Sequence, residues 1–147
     1  MQNELVDSTP MNVIPKQGRK ANMEDLNSLI ERYVDCYNRV DVDGMLECVT
    51  EDVRFENISN AGQSMQLQGK DALAQVASAS AQAFTYRRQR LVNLICSGDH
   101  AAAEVQFQGI AALDLPNGTM QGQSVDIRGA SFFEARDGLL CRIVDYS

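Results

Sequence analysis

The residues of this chain best suited to acid–base chemistry are one carboxylate near its end and two polar groups nearer its start. Asp145, in "IVDYS", shares a strand face with Ile143, so it can be turned toward apolar surroundings. A carboxylate taken out of water is harder to ionise, which moves its pKa toward the neutral range that a general acid or base needs. The plain alternative is a carboxylate on a rim, or one held by a backbone or Arg128 contact. Asn57, in "EDVRFENISNAG", falls on the same strand face as Val53 and Phe55. Its amide could orient water or a carbonyl, or it could cap the turn into "SNAG". Tyr33 lies on a helical stripe and could donate to a ligand oxygen, although a tyrosine there is more often core with its hydroxyl satisfied locally.

Other polar residues carry less. Asp126 and Arg128 stand two apart on one strand and are expected as an exposed pair, and Glu104, Gln106 and Gln108 are expected in solvent. His100, in the turn "SGDH", is expected on the surface with no catalytic partner nearby. The four cysteines, Cys36, Cys48, Cys96 and Cys141, form no C-x-x-C pair, so reduced thiols acting as small hydrophobes are expected rather than zinc. "YRRQR" at 86 to 90 reads as the solvated start of a strand, not as a phosphate site. With no P-loop and no G-x-G-x-x-G, the common nucleotide enzymes are disfavoured. No metal or organic cofactor is expected.

The scaffold that must position these groups is a single domain, since 147 residues can bury one sizeable core. Residues 1–21 read as a flexible amino-terminal tail and 22–147 as the domain. Asn22 can cap a helix that carries Glu24 and Asp25 in its first turn and an apolar stripe of Leu26, Leu29, Ile30, Tyr33, Val34, Tyr37 and Val40. "DVDGMLECVTED" predicts a short second helix capped by Asp41, followed by a strand "VRFENI", a loop "SNAGQSMQLQG" and an Ala- and Ser-rich helix over 70–84. From Tyr86 onward the pattern is of strands, divided by turn signals at Gly98-Asp99, Asn117-Gly118 and Asp137-Gly138. Helices first and an antiparallel meander last give an α+β fold.

In the long strands odd positions are apolar (Val105, Phe107, Val125, Ile127, Phe133), while even positions are mixed (Gln106, Gln108, Asp126, Arg128, Ala130, Phe132). Either the apolar face packs on the helices and the mixed face meets water, or the mixed face curls round a pocket and the apolar face meets a second subunit. Periodicity does not choose. The charge does exclude something: 13 basic against 20 acidic residues give -7, which argues against nucleic acid as a partner. No apolar run approaches the roughly 18 residues of a membrane span and no secretory signal is evident, so a soluble cytoplasmic protein without membrane contact is expected.

The stretch "ERYVDCYNRVDVDGMLECVTEDVRFEN", the helix opening "GKDAL" and the closing hairpin "FFEARDGLLCRIVDY" resemble the nuclear transport factor 2-like superfamily over residues 23 to 147. Its members include ketosteroid isomerases, SnoaL-like polyketide cyclases and limonene epoxide hydrolases. The resemblance implies a cone-shaped α+β barrel, with three helices packed in a strongly curved, mostly antiparallel sheet, and a homodimer formed through the outer sheet face. It also implies a ligand cavity on the concave face and favours the even positions as its lining. The ligand-pocket residues then expected are Tyr37, Val53, Phe55, Gln106, Gln108, Arg128, Ala130, Phe132 and Ile143.

The resemblance also implies roles. Tyr33 matches the oxyanion-donating tyrosine of the isomerases, but their general base falls on Asn57 and their second donor at or near Ala130. Against the epoxide hydrolases, Asn57 and Asp145 are kept, whereas Phe55, Gln108 and Ile110 depart from that pattern. The implied function is a cofactor-independent acid–base enzyme for a small apolar oxygenated molecule, with Asp145, Tyr33 and Asn57 as its working groups. The alternative is a non-catalytic ligand-binding or dimeric scaffold protein of the same fold.

Overall fold

The computed structural model describes residues 25–60 and 62–147. The expected tail over 1–21 and the cap at Asn22 lie outside the described residues. Helix α1 (Leu26–Asn38) starts from Asp25, whose Oδ1 accepts a 2.8 Å hydrogen bond from the Ser28 N–H and so satisfies one donor of the first turn. Its stripe of Leu29, Ile30, Tyr33 and Val34 is buried, while Val40 lies past the helix end with a left-handed φ of 57° and is exposed. Helix α2 (Val42–Glu47) is capped as expected: Asp41 accepts from the Gly44 N–H at 2.9 Å.

Strand β1 (Val49–Ile58) is longer than "VRFENI", and the expected loop after it holds an antiparallel partner, β2 (Met65–Gln68). A four-residue edge strand with glutamines in alternate places offers too little apolar periodicity to read. Helix α3 (Lys70–Gln82) buries Leu73 and Ala77. An antiparallel meander follows, made of β3 (Phe84–Ser97), β4 (His100–Ala111), β5 (Ser124–Arg136) and β6 (Leu139–Tyr146). Asp137 and Gly138, both at positive φ, make the two-residue turn into β6. Strand β6 then pairs in parallel with β1, so the six-stranded sheet runs β2-β1-β6-β5-β4-β3.

The odd positions face the helices. Ala101, Ala103, Val105 and Phe133 join Leu29, Ile30, Tyr33, Val34 and Leu73 in one core. The even positions Glu104, Gln108, Asp126, Arg128 and Phe132 are exposed on the other face. The preference for the even face as pocket lining is therefore reversed, because enclosing Gln, Glu and Arg side chains costs desolvation that an apolar face avoids. Register shifts in β1, β3 and β5 mark irregularities of the kind that bend strands.

Helix α1 is fastened to the open edge of the sheet by its last residue. Asn38 donates from Nδ2 to the Gln89 carbonyl at 2.8 Å and accepts from the Gln89 N–H at 2.7 Å, which fixes the tyrosines of α1 over the inner face. Among the described residues no helix is long and apolar enough to cross a membrane.

Candidate active site

Between the helices and the inner face of the sheet lies a cavity of about 330 Å³, a size that suits a small organic molecule. Most of its wall is apolar, including Phe55, Leu73, Phe107 and Ile143. Its polar groups come from separate elements and include Tyr33 and Tyr37 on α1, Ser80 on α3, Asn57 on β1, Gln89 on β3, Ser131 on β5 and Asp145 on β6, with Tyr146 and Ser147 at the chain's last positions. Sheet register explains how three of them meet. Asn57 pairs with Asp145 across β1 and β6, and Asp145 pairs with Ser131 across β6 and β5, so neighbouring strands place the three side by side in one inward row.

Asp145 is the centre of that row. The Ser131 hydroxyl, itself buried, donates to Asp145 Oδ1 at 2.6 Å. Burial pushes the Asp145 carboxyl up to about 6, with the Ser131 hydrogen bond opposing the shift. Asp145 forms part of the cavity wall. A carboxylate so placed changes protonation near neutrality, which is the property a general base requires.

The two tyrosines stand within the field of Asp145. Burial, and after it the Asp145 carboxylate, raises the pKa of Tyr33, so that phenol stays protonated and can only donate or accept neutrally. Tyr37 is raised first by burial as well, against opposing effects of Arg87 and Ser80. Arg87 lies over the Tyr37 ring at 3.8 Å and is buried, which corrects the reading of "YRRQR" as uniformly solvated. Its neighbours Arg88 and Arg90 are exposed, as strand alternation requires.

Of the residues expected in the pocket, Tyr37, Phe55, Ala130 and Ile143 do line it, together with Tyr33, Asn57 and Asp145. Val53 does not: it is fully buried in the solid core, one inward position below Phe55. Gln106, Gln108, Arg128 and Phe132 belong to the opposite face, for the strand-parity reason given above. Ile110 is also outward and exposed, so β4 meets the cavity through Val105 and Phe107 on the inward register rather than through Gln108 or Ile110. The turn after Asn57 is tied by Ser64, whose Oγ accepts from the Ser59 N–H.

Sequence reasoning missed Ser131, Ser80 and Arg87. Ser131 was detectable, because it is a polar residue on the otherwise apolar odd face of β5, next to Ala130. Ser80 and Arg87 acquire meaning only through contacts between α1, α3 and β3, which no local pattern reports. The expected pair of Asp126 and Arg128 is replaced by others: Arg128 bridges to Glu104 at 2.9 Å, and Asp126 accepts from Gln106 and Gln108. His100 is exposed and lies 3.6 Å from Glu134. All four cysteines are free, and among the described residues no cluster of His, Cys, Asp and Glu could hold a metal ion.

The model of the SnoaL-like domain matches residues 30–143. The chain belongs to the SnoaL-like domain family. Solved structures agree with the SnoaL-like assignment. A candidate polyketide cyclase of Silicibacter sp. is 29% identical, covering 82% of this chain and 86% of its own, with a TM-score of 0.66. Another from Xanthomonas campestris pv. campestris is 26% identical, covering 82% and 88%, with a TM-score of 0.63. A candidate SnoaL-like polyketide cyclase from Jannaschia sp. is 17% identical over 88% and 90% at a TM-score of 0.69, a likeness of fold alone. No curated protein matches the sequence. The SnoaL-like chain thus has the α+β nuclear transport factor 2-like fold that is also called ketosteroid isomerase-like.

Proposed function

We propose that this SnoaL-like protein is a cofactor-independent acid–base enzyme acting on a small, apolar, carbonyl-bearing molecule of the polyketide kind. The observation that carries the reading is Asp145: a carboxylate enclosed by apolar walls, oriented by Ser131, with its pKa raised to about 6 by burial. The Asp145 carboxylate takes a proton from the carbon next to a carbonyl. The C–H electron pair becomes the new C=C bond and the carbonyl π pair moves to oxygen, giving an enolate. Tyr33 and Asn57, which line the same space, donate to substrate oxygens. The enolate carbon then attacks a second carbonyl, whose π pair moves to its oxygen and takes the proton back from Asp145, or the carbon itself regains that proton, so no oxidant or reductant is consumed. The candidate cyclases among the similar structures support this substrate class.

Proton–deuterium exchange at the activated carbon of an aromatic β-keto ester, followed by NMR, tests the reading without knowledge of the natural product. Exchange is expected to be accelerated by the protein, to rise with pH through about 6, and to be lost in Asp145→Asn. Equal exchange by Asp145→Asn and the native protein would falsify it.

The outer sheet face supports a homodimer in the same proposal. Ile95 is 70% exposed there, beside the exposed ring of Phe132 packed edge-on against Tyr146. Light scattering of the native protein and of Ile95→Glu is expected to give a dimer and a monomer; two monomers would remove the dimer from the proposal.

A further inference from the structure

Arg87 presents a problem that the acid–base reading leaves unsolved. It is only 6% exposed, yet its partners are all neutral. It donates to Ser80 Oγ from Nη1 at 3.1 Å, donates to the Tyr37 carbonyl from Nη2 at 3.1 Å, and lies over the Tyr37 ring. Its Nε has no hydrogen-bond partner among the described residues. A buried cation without a facing anion costs stability, and an apolar side chain of similar size would be cheaper. Such a group is understandable if an anion is brought to it, and the cavity begins at Ser80 and Tyr37.

Hydrogen-bond directions show where the charge is felt. Ser80 Oγ already accepts from Arg87, so its own O–H is free to turn into the cavity, which Ser80 and Tyr37 line together. Tyr37 lies under the guanidinium and, kept protonated by burial, can send its own proton into the cavity. Each donor in such a chain strengthens the next. We propose that Tyr37 is a catalytic donor to the substrate's carbonyl oxygen, and that Arg87, acting through Ser80 and Tyr37, is a positioning residue that stabilises the enolate. This rests on the acid–base reading and specifies the substrate: a carbonyl whose oxygen reaches α1 while its acidic carbon reaches Asp145.

The probe for the test is 4-nitrophenol, a stand-in for an enolate that is never turned over and whose ionised form absorbs at longer wavelength. At about pH 5 Asp145 is mostly protonated and does not repel the probe. The native protein is expected to bind it as the phenolate. Arg87→Met and Tyr37→Phe are each expected to bind about tenfold more weakly and with the neutral phenol predominating, and Arg87→Lys is expected to restore part of the ionised fraction. The melting temperature of Arg87→Met is expected to stay level or rise, since a merely structural arginine would lower it. Should Arg87→Met fail to fold, Ser80→Ala provides the same reading. Unchanged affinity and ionised fraction in Arg87→Met or Ser80→Ala would overturn the proposal, as would a native protein that binds only the neutral phenol. In either event the acid–base reading would still be judged separately, by the exchange experiment on Asp145→Asn.

Discussion

The two faces of the sheet treat polar side chains in opposite ways. On the outer face they are dense and linked: Arg90 donates to Gln106, Gln106 to Asp126, Asn93 to Glu104, and Arg128 bridges to Glu104. All of these contacts are exposed, so each adds little, because water offers nearly the same hydrogen bonds. On the inner face polar groups are sparse, and apolar neighbours enclose them. Asp145, Ser131 and Arg87 each lose hydration there and must be compensated by a partner or by a ligand. A site is thus marked by polar groups kept where they are costly, not by their abundance.

The largest expected break in this contrast is Asp145→Asn, with exchange activity falling about 100- to 10,000-fold. The same change should stabilise the fold at neutral pH. Because the folded pKa of about 6 exceeds the ordinary carboxylate value of 3.8, folding favours the protonated form. The native protein therefore loses stability as pH rises from near 4 through 6, by on the order of 2 to 3 kcal/mol, and is level above that. Urea denaturation across this range should show the slope in the native protein and its absence in Asp145→Asn.

Next in size is Gly129→Ala, where an added Cβ would collide with the Tyr146 backbone carbonyl. A loss of about 1 to 3 kcal/mol is expected, read as a lower melting temperature. Ser131→Ala should act more gently and on chemistry. It removes the hydrogen bond that lowers the Asp145 pKa, so the midpoint of the pH–rate profile moves upward, by roughly one unit. The smallest effect belongs to the outer face. Arg128→Ala should change stability by under about 0.5 kcal/mol and leave exchange activity unaltered; a large loss there would erase the distinction between the faces.

Much of the scaffold could be read from sequence because it is written in local periods. The α1 stripe, the Asp41 cap, the Asp137-Gly138 hairpin and the bounds of β6 all follow from patterns within a dozen residues. Asp145 was legible for the same reason, being polar in an apolar register beside Ile143. Which face of the sheet lines the cavity was not legible, since parity separates two faces without saying which one the helices cover. Resemblance to the superfamily favoured Gln106, Gln108, Arg128 and Phe132, and the helices cover the other side. Arg87 shows the limit most clearly: within "YRRQR" nothing distinguishes it from Arg88, and only the placement of α1 and α3 above β3 turns one guanidinium inward.

The parallel pairing of β1 with β6 has a practical consequence. Asn57 and Asp145 face one another across strands from nearly opposite ends of the described chain. A molecule that touches both acts as a clasp between those ends, and the two strands cannot separate without expelling it. Its binding free energy is then added to the free energy of unfolding, growing with the logarithm of its concentration over its dissociation constant. Thermal shift across a collection of cyclic ketones and polyketide fragments therefore becomes a search for the natural ligand, in which the fold itself reports the encounter.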